Sequence, residues 1–315
     1  MGRFIARRMV SMILVLFAVS VLTFLIFNVI PNGDPASRMA GRQARATQIE
    51  AINKEWGFDR SLPVQYATTM KKIFTGDLKS YTNEIDVVDQ IVQRAPRTFL
   101  LAVGAAILWM IAAIGIGIYT AVRAGKASDK ILTVLAMIGI SMPVFWLGAL
   151  VNHYLGFKAG LFPNGGYVPF TENPADWFYH MLMPWTVLAV LFIGVYSRVL
   201  RSNILDTIND DYVRTARAKG LSERQVLIRH VLRNSLIPIV TLWGLDLGLL
   251  LGGGAILTET VFSLDGVGQY VAEATGRLDV PPVLAVTMFG AFFVVLLNTT
   301  VDIVYAALDP RIRRG

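Results

Sequence analysis

Residues 9–30 read MVSMILVLFAVSVLTFLIFNVI, without a single charged side chain. A helix of about 20 mostly apolar residues crosses the roughly 30 Å of hydrocarbon in a bilayer. The stretch therefore marks an integral membrane protein. Arg3, Arg7 and Arg8 precede it, as they would in a secretory signal. The apolar run is longer than the roughly 7–15 residues of a signal core, and no small-x-small cleavage site follows closely. It reads as a retained anchor. Five further apolar blocks, at 98–122, 131–152, 181–200, 236–258 and 283–308, bring the expected spans to six. The block at 181–200 is the weakest, with Pro184 near its start and Arg198 near its end, and a shorter interfacial helix is the alternative there. Composition agrees: 54% of the 315 residues are hydrophobic and 16% charged, against about 45–50% and about 25% in a soluble domain. Mean hydropathy is +0.54. A disordered chain and a coiled coil are excluded. With no cysteine there is no disulfide, thiolate nucleophile or Cys-ligated metal.

The net charge of +7 invites a nucleic-acid reading, but the positions of the basic residues give another. Arg3, Arg7, Arg8, then Arg123, Lys126, Lys130, then eight residues of the 198–235 loop, then Arg311, Arg313 and Arg314 all fall on one side of the six spans. The opposite short loops hold only Lys158 and Arg277. By the positive-inside rule both termini and the 198–235 loop are cytoplasmic. The 31–97 segment, nearly neutral with ten basic and eight acidic residues, lies outside. The charge reflects topology.

That outer segment carries folding signals. Pro31-Asn32-Gly33-Asp34-Pro35 is a turn cluster. Thr47 and Glu50 have the spacing of a capping box for a short helix ended by Trp56-Gly57. Pro63 suits the first turn of a second helix through about Phe74, closed by Gly76, and Asp86 to Gln93 offers a third short helix. The segment is either a cap on the membrane domain or a docking surface for an external partner.

The 198–235 loop is the most informative stretch. Asn209 or Asp210 can cap a helix that starts near Asp211 and stops at Gly220. Ser222 and Gln225 form a capping box for a second helix to about Asn234, and Pro238 marks entry into the next span. Ala216 and Ala218 keep the first helix slim, and Arg214, Arg217 and Lys219 surround it with charge. Such a helix suits a groove on another protein, a solvated juxtamembrane position, or anionic lipid.

Several motifs then carry a resemblance. Tyr212-Val213-Arg214-Thr215-Ala216-Arg217-Ala218-Lys219-Gly220-Leu221, followed by His230-Val231-Leu232-Arg233-Asn234-Ser235-Leu236-Ile237-Pro238, resembles the cytoplasmic loop of bacterial ABC importer permeases, and within them the dipeptide/oligopeptide/nickel permeases. Asn32-Gly33-Asp34-Pro35-Ala36, Gly57 to Tyr66, Gly76-Asp77-Leu78, Glu259-Thr260-Val261-Phe262 and Asp309-Pro310-Arg311-Ile312-Arg313 match in the same order. The resemblance implies an all-α integral membrane protein of six transmembrane helices, type I ABC importer-like. Its N- and C-termini are cytoplasmic and a folded external segment lies between helices 1 and 2. The implied parts are 1–30 (N-terminus and first span), 31–97 (external helical segment) and 98–315 (permease core with a cytoplasmic coupling loop at 201–235).

The chain departs from the family pattern twice. Arg214-Thr215-Ala216 stands where the general importer loop has Glu-Ala-Ala, as is common in the peptide branch. Asp265-Gly266-Val267-Gly268 stands where Pro-Gly-x-Gly is usual, which bears on the rigidity and contacts of that outer turn.

The resemblance also implies a role: a non-catalytic subunit through which peptides pass, with nickel complexes and oligosaccharides as other family substrates. Helix 211–219 would dock on a cytoplasmic ATPase through Tyr212, Arg214, Thr215, Ala216, Arg217, Ala218, Lys219, Gly220 and Leu221. The implied partners are a second homologous permease, two ATPase domains and an external substrate-binding protein, in a bacterial cell membrane. This chain has no phosphate-cradling P-loop, so ATP and Mg belong on the partner ATPase, with no cofactor here. Glu259, Phe262, Asp265 and Gly266 would meet the binding protein.

Asp246, deep in the fifth span, costs about 2.5–3.5 kcal/mol to insert. Twelve Leu, Ile and Val in 236–258 contribute roughly −4 to −7 kcal/mol, so the span still inserts. Asp246 either lines a polar path or makes an interhelical hydrogen bond. Gly252, Gly253 and Gly254 either allow close packing or form a gate hinge. Asn298, Asp302 and Tyr305 share one face of the last span, where Asp302 can pair with a loop arginine. Met142-Pro143 predicts a kink. His153, His180 and His230 are isolated and show no metal-ligand spacing. The main alternative is an ion- or proton-coupled secondary transporter, for which Asp246 and the glycine run are the faint signal.

Overall fold

The computed structural model describes residues 2–29, 36–37 and 45–308. The turn at Pro31–Pro35 and the ending Asp309–Arg313 lie outside the described residues. Those described are helical, with one isolated bridge, Lys79 to Asp86, and no strand. Helix α1 covers Gly2–Phe24 and widens into a π-turn at Leu25–Val29. Then come α2 (Ala46–Trp56), α3 (Leu62–Thr75), α4 (Val87–Val122), α5 (Ala127–Ser141) and α6 (Val144–Val151, continuing through wide turns to Lys158). Next are α7 (Pro174–Thr207), α8 (Asp211–Ala218), α9 (Glu223–Val226, running on to Ser235) and α10 (Ile237–Leu249, widening through Leu250–Gly254). The last are α11 (Ile256–Val261), α12 (Val267–Gly276) and α13 (Val280–Leu308).

Five helices are long and apolar enough to cross a bilayer, and the pair α5–α6 makes a sixth if its two arms are one span. That pair corrects the continuous span expected at 131–152. The arms bend by 101°, because Pro143 lacks an N–H and forces Met142 into an extended conformation (φ −85°, ψ 126°). The expected kink is a break. The weakest block, 181–200, lies inside the 34-residue α7, so the interfacial alternative falls away. The expected short helix at 86–93 is instead the start of the 36-residue α4, which runs through Pro96. The block at 236–258 ends early, at Gly254, where Gly253 takes φ +128°.

The chain forms two compact units. The first comprises residues 1–99, 248–260 and 264–315. Its core joins Leu78, Val87 and Ile91 to Val267, Tyr270 and Val271 of α12 and Val283 and Val286 of α13. Helix α2 begins one residue before Thr47, since the Arg45 carbonyl already accepts from Ile49 N at 3.2 Å. Glu50 pairs with Lys54 at 3.1 Å rather than completing a box. Gly57 and Gly76 end α2 and α3 in the left-handed region, as expected. Tyr66 ties α3 to α1 by a 2.6 Å hydrogen bond with Ser20 and edge contacts with Phe17 and Phe24. Asp302 pairs with Arg8 of α1 at 2.8 Å, correcting the loop-arginine partner.

The second unit comprises residues 100–247 and 261–263. Trp109, fully buried, stacks on Phe192 at 4.3 Å. Trp185 Nε1 donates to the Leu100 carbonyl at 3.0 Å, and Trp243 Nε1 to Ala106 at 3.1 Å. Gly104 permits the first contact, since a Cβ there would lie 2.1 Å from the Trp185 ring. Asp129, only 3% exposed, accepts a two-pronged bond from Arg201 at 2.9 and 2.8 Å and another from Gly125 N at 2.9 Å. The pair anchors the start of α5 to α7.

Candidate functional site

The loop after α7 is a braced helix pair. Asp210 caps α8 through its backbone alone, its carbonyl accepting from Val213 N and Arg214 N. Gly220, at φ +80°, ends the turn. Ser222 and Gln225 make the expected capping box reciprocally. Val213 and Ala216 face inward and are buried, so Ala216 offers no docking surface here. Tyr212, Arg214, Thr215, Ala218, Lys219 and Gly220 are exposed. Asn234 Nδ2 donates to Tyr212 Oη at 2.7 Å, and Arg217 pairs with Glu223 at 2.9 Å, so each helix holds the other. The base is fixed by Ser235 Oγ, which donates to the Asn203 carbonyl at 3.2 Å. The result is a short braced finger with a basic, small-residue face.

At mid-span, Tyr196 Oη of α7 donates to Asp246 Oδ2 of α10 at 2.6 Å. The interhelical hydrogen bond is thus present, and Asp246 stays half-buried. Past it the helix breaks. A Cβ on Gly252 would meet Val294 at 2.5 Å, and one on Gly290 would meet the Gly252 carbonyl at 2.8 Å. The close packing weighed for the glycine run is present, since Gly252 brings α10 and α13 into backbone contact, and Gly253, at φ +128°, turns the chain out of the helix. A cavity of about 140 Å³ lies beside the break, lined by Thr98, Gly252, Gly253, Glu259, Gly268 and Thr287 among others.

The turn after α11 closes around Glu259, which is fully buried. Its Oε2 accepts from Gln269 N at 2.9 Å. The carboxyl fits only because residues 266 and 268 lack side chains: a Cβ would lie 2.4 Å from it at Gly266 and 2.8 Å at Gly268. Burial pushes the Glu259 carboxyl above the usual range, against the opposing pull of its hydrogen bonds and Arg94. Asp265, in the place of the usual proline, sits at φ +54°. Arg94 and Arg97 of α4 both pair with its carboxylate, and Arg97 also donates to the Asp265 carbonyl at 2.8 Å. Gln269 Oε1 accepts from Asp265 N at 2.8 Å. An ion-pair clamp thus holds this turn in a conformation closed to proline. Glu259 and Phe262 are 0% and 1% exposed and Gly266 is buried too, so none of the three offers a surface for the expected external contact, while the Asp265 side chain stays 48% exposed within its clamp. Neither arginine of the clamp nor the Asp129–Arg201 pair was marked by sequence. Arg97 lies 168 positions from Asp265, with Arg94 one turn further, and Arg201 lies 72 from Asp129; only an acid standing where proline was expected pointed to the clamp.

Comparison with known proteins settles the family. Residues 113–314 match the model of the binding-protein-dependent transport system inner membrane component, and residues 1–102 match its N-terminal companion. The chain is a permease of the binding-protein-dependent transport family. Among its relatives, a peptide transport system permease protein of Brucella abortus (strain 2308) is 36% identical over 99% of both chains. A glutathione transport system permease protein of Pectobacterium atrosepticum is also 36% identical over 99% of both. The crystal structure of an amino acid ABC transporter with histidines shares the fold at TM-score 0.51 and 13% identity, covering 71% of this permease and 94% of that chain. The permease is thus a multi-pass membrane subunit of an ABC importer, which sets aside the ion-coupled alternative.

Proposed function

We propose that this permease forms half of the path of an ATP-driven importer of peptides or of a small peptide such as glutathione. Its termini and α8 face the cytoplasm of a bacterial cell, and the segment between α1 and α4 faces outward. A second permease completes the path, an external binding protein delivers substrate, and α8 docks in a cleft of a cytoplasmic ATPase that alone hydrolyses ATP. The carrying observation is the braced finger. A helix of eight residues gains little stability by itself, yet α8 is locked to α9 through Tyr212–Asn234 and Arg217–Glu223. A braced finger transmits displacement; a solvated loop would absorb it. The relatives' names support the substrate class.

The test is gentle purification from the native membrane with identification of what comes along, repeated with Gly220→Pro. Proline fixes φ near −65° and cannot adopt the +80° seen at this junction. Arg214→Glu reverses charge at a largely exposed site and loses only an exposed ion pair with Asp211, a small cost to the fold. A P-loop ATPase that co-purifies with the wild type and is lost in both variants supports docking. A stable assembly without ATPase, from cells that express candidate ATPases, sinks it.

A further inference from the structure

Between α5 and α7 lies an open groove of about 620 Å³, lined by Thr133, Ile140, Val195, Arg198, Val199, Arg201 and Ser202. Its walls are apolar, from Ile140, Val195 and Val199, and one end carries two guanidinium groups and two hydroxyls. The two arginines differ. Arg201 is spent on Asp129, with both prongs of its fork engaged at 2.9 and 2.8 Å. Arg198 is exposed, and no side chain among the described residues is seen to neutralise it. The polar end therefore carries one surplus positive charge, and Ser202, also exposed, adds a hydroxyl. The groove sits toward the end of a helix long enough to cross the membrane, where arginines extend toward headgroups.

We propose that this groove binds one anionic phospholipid, its phosphodiester on Arg198 and Ser202 and its first acyl carbons along Ile140, Val195 and Val199. One surplus cation matches the single negative charge of a phosphatidylglycerol. A zwitterionic lipid brings its own cation and leaves Arg198 less well compensated. Arg201 contributes shape more than charge, held in place by a carboxylate that is itself nearly sealed from solvent. Apolar walls ending in a single cation fit an amphiphile better than a free anion, and basic pockets between membrane helices are known to take lipid headgroups.

Native mass spectrometry of the full-length permease tests this without any ATPase present, so its outcome is separate from that of the docking experiment. The protein is delipidated and titrated with phosphatidylglycerol, phosphatidylcholine or inorganic phosphate. One phosphatidylglycerol should be retained in preference to phosphatidylcholine. Arg198→Gln should weaken it about five- to tenfold, and Arg198→Lys should restore part of the loss. Val195→Trp, at an exposed wall position, should also expel the lipid, by bulk and with every charge intact. Should Arg198→Gln fail to fold, the lysine and tryptophan variants decide. Equal retention of the two lipids, or unchanged binding in Arg198→Gln or Val195→Trp, overturns the site. So does competition by inorganic phosphate at the lipid's own concentration, or exclusion of the lipid once the second permease is bound.

Discussion

Replacing Gly266 with alanine places a methyl carbon 2.4 Å from Glu259 Oε2 and 2.5 Å from its Cδ. The backbone at Gly266 (φ −88°, ψ −176°) suits alanine as well as glycine, so the perturbation is steric alone. Glu259 is fully buried and cannot swing aside into solvent. Either it shifts and stretches its bond from Gln269 N, or the turn opens. Overpacking of this kind costs about 1–3 kcal/mol, and loss of the hydrogen bond adds about 1 kcal/mol, for a total of roughly 2–4 kcal/mol. Glu259→Ala in the same chain removes the atoms struck, so the double variant should recover at least about 1 kcal/mol relative to the sum of the singles. Thermal unfolding of the purified permease in one detergent, at one scan rate, reads the four corners of the cycle. Additivity within about 0.5 kcal/mol would refute the claim that the glycines exist to admit the carboxyl.

Asp265→Pro restores the residue usual in the family, yet should destabilise this permease by more than about 1 kcal/mol, because φ +54° is closed to proline and two arginines lose their partner. A thermal midpoint equal to or above wild type would show that the ion-pair clamp is dispensable. Tyr196→Phe removes the donor to Asp246 and should cost about 1–2 kcal/mol in the same unfolding assay. An unchanged midpoint would mean that the contact contributes nothing to the packing of α7 on α10.

Much of the architecture is legible in the chain because membrane solvation constrains it locally. Long uncharged runs locate the spans, and Gly57, Gly76, Gly220 and the Ser222–Gln225 box are read correctly because each acts within a few residues of itself. What escaped depends on magnitude or distance. Met142-Pro143 signals a disturbance, but nothing in it says 101° rather than 25°. Asp86 to Gln93 looks like a separate short helix outside the apolar block at 98–122, yet α4 runs unbroken from Val87 through Pro96 into that block. Thr47 and Glu50 have capping spacing, but the helix starts one residue earlier and Glu50 turns to Lys54. In the candidate site, the finger at 211–219 was visible from its caps and charges. The inward turn of Ala216, the sealing of Glu259 by two glycines and the grip of Arg94 and Arg97 on Asp265 are long-range or steric facts that no local pattern carries.

The crossing of Gly252 and Gly290 divides α13 unequally. From Gly290 the helix runs to Val280 on one side and to Leu308 on the other, arms of about 15 Å and about 27 Å at the rise of an α-helix. Two backbones touching without intervening side chains make a fulcrum. Any tilt of α13 about that point moves the Leu308 end nearly twice as far as the Val280 end, so a small displacement at the short arm arrives enlarged at the other, with the smaller force that leverage requires.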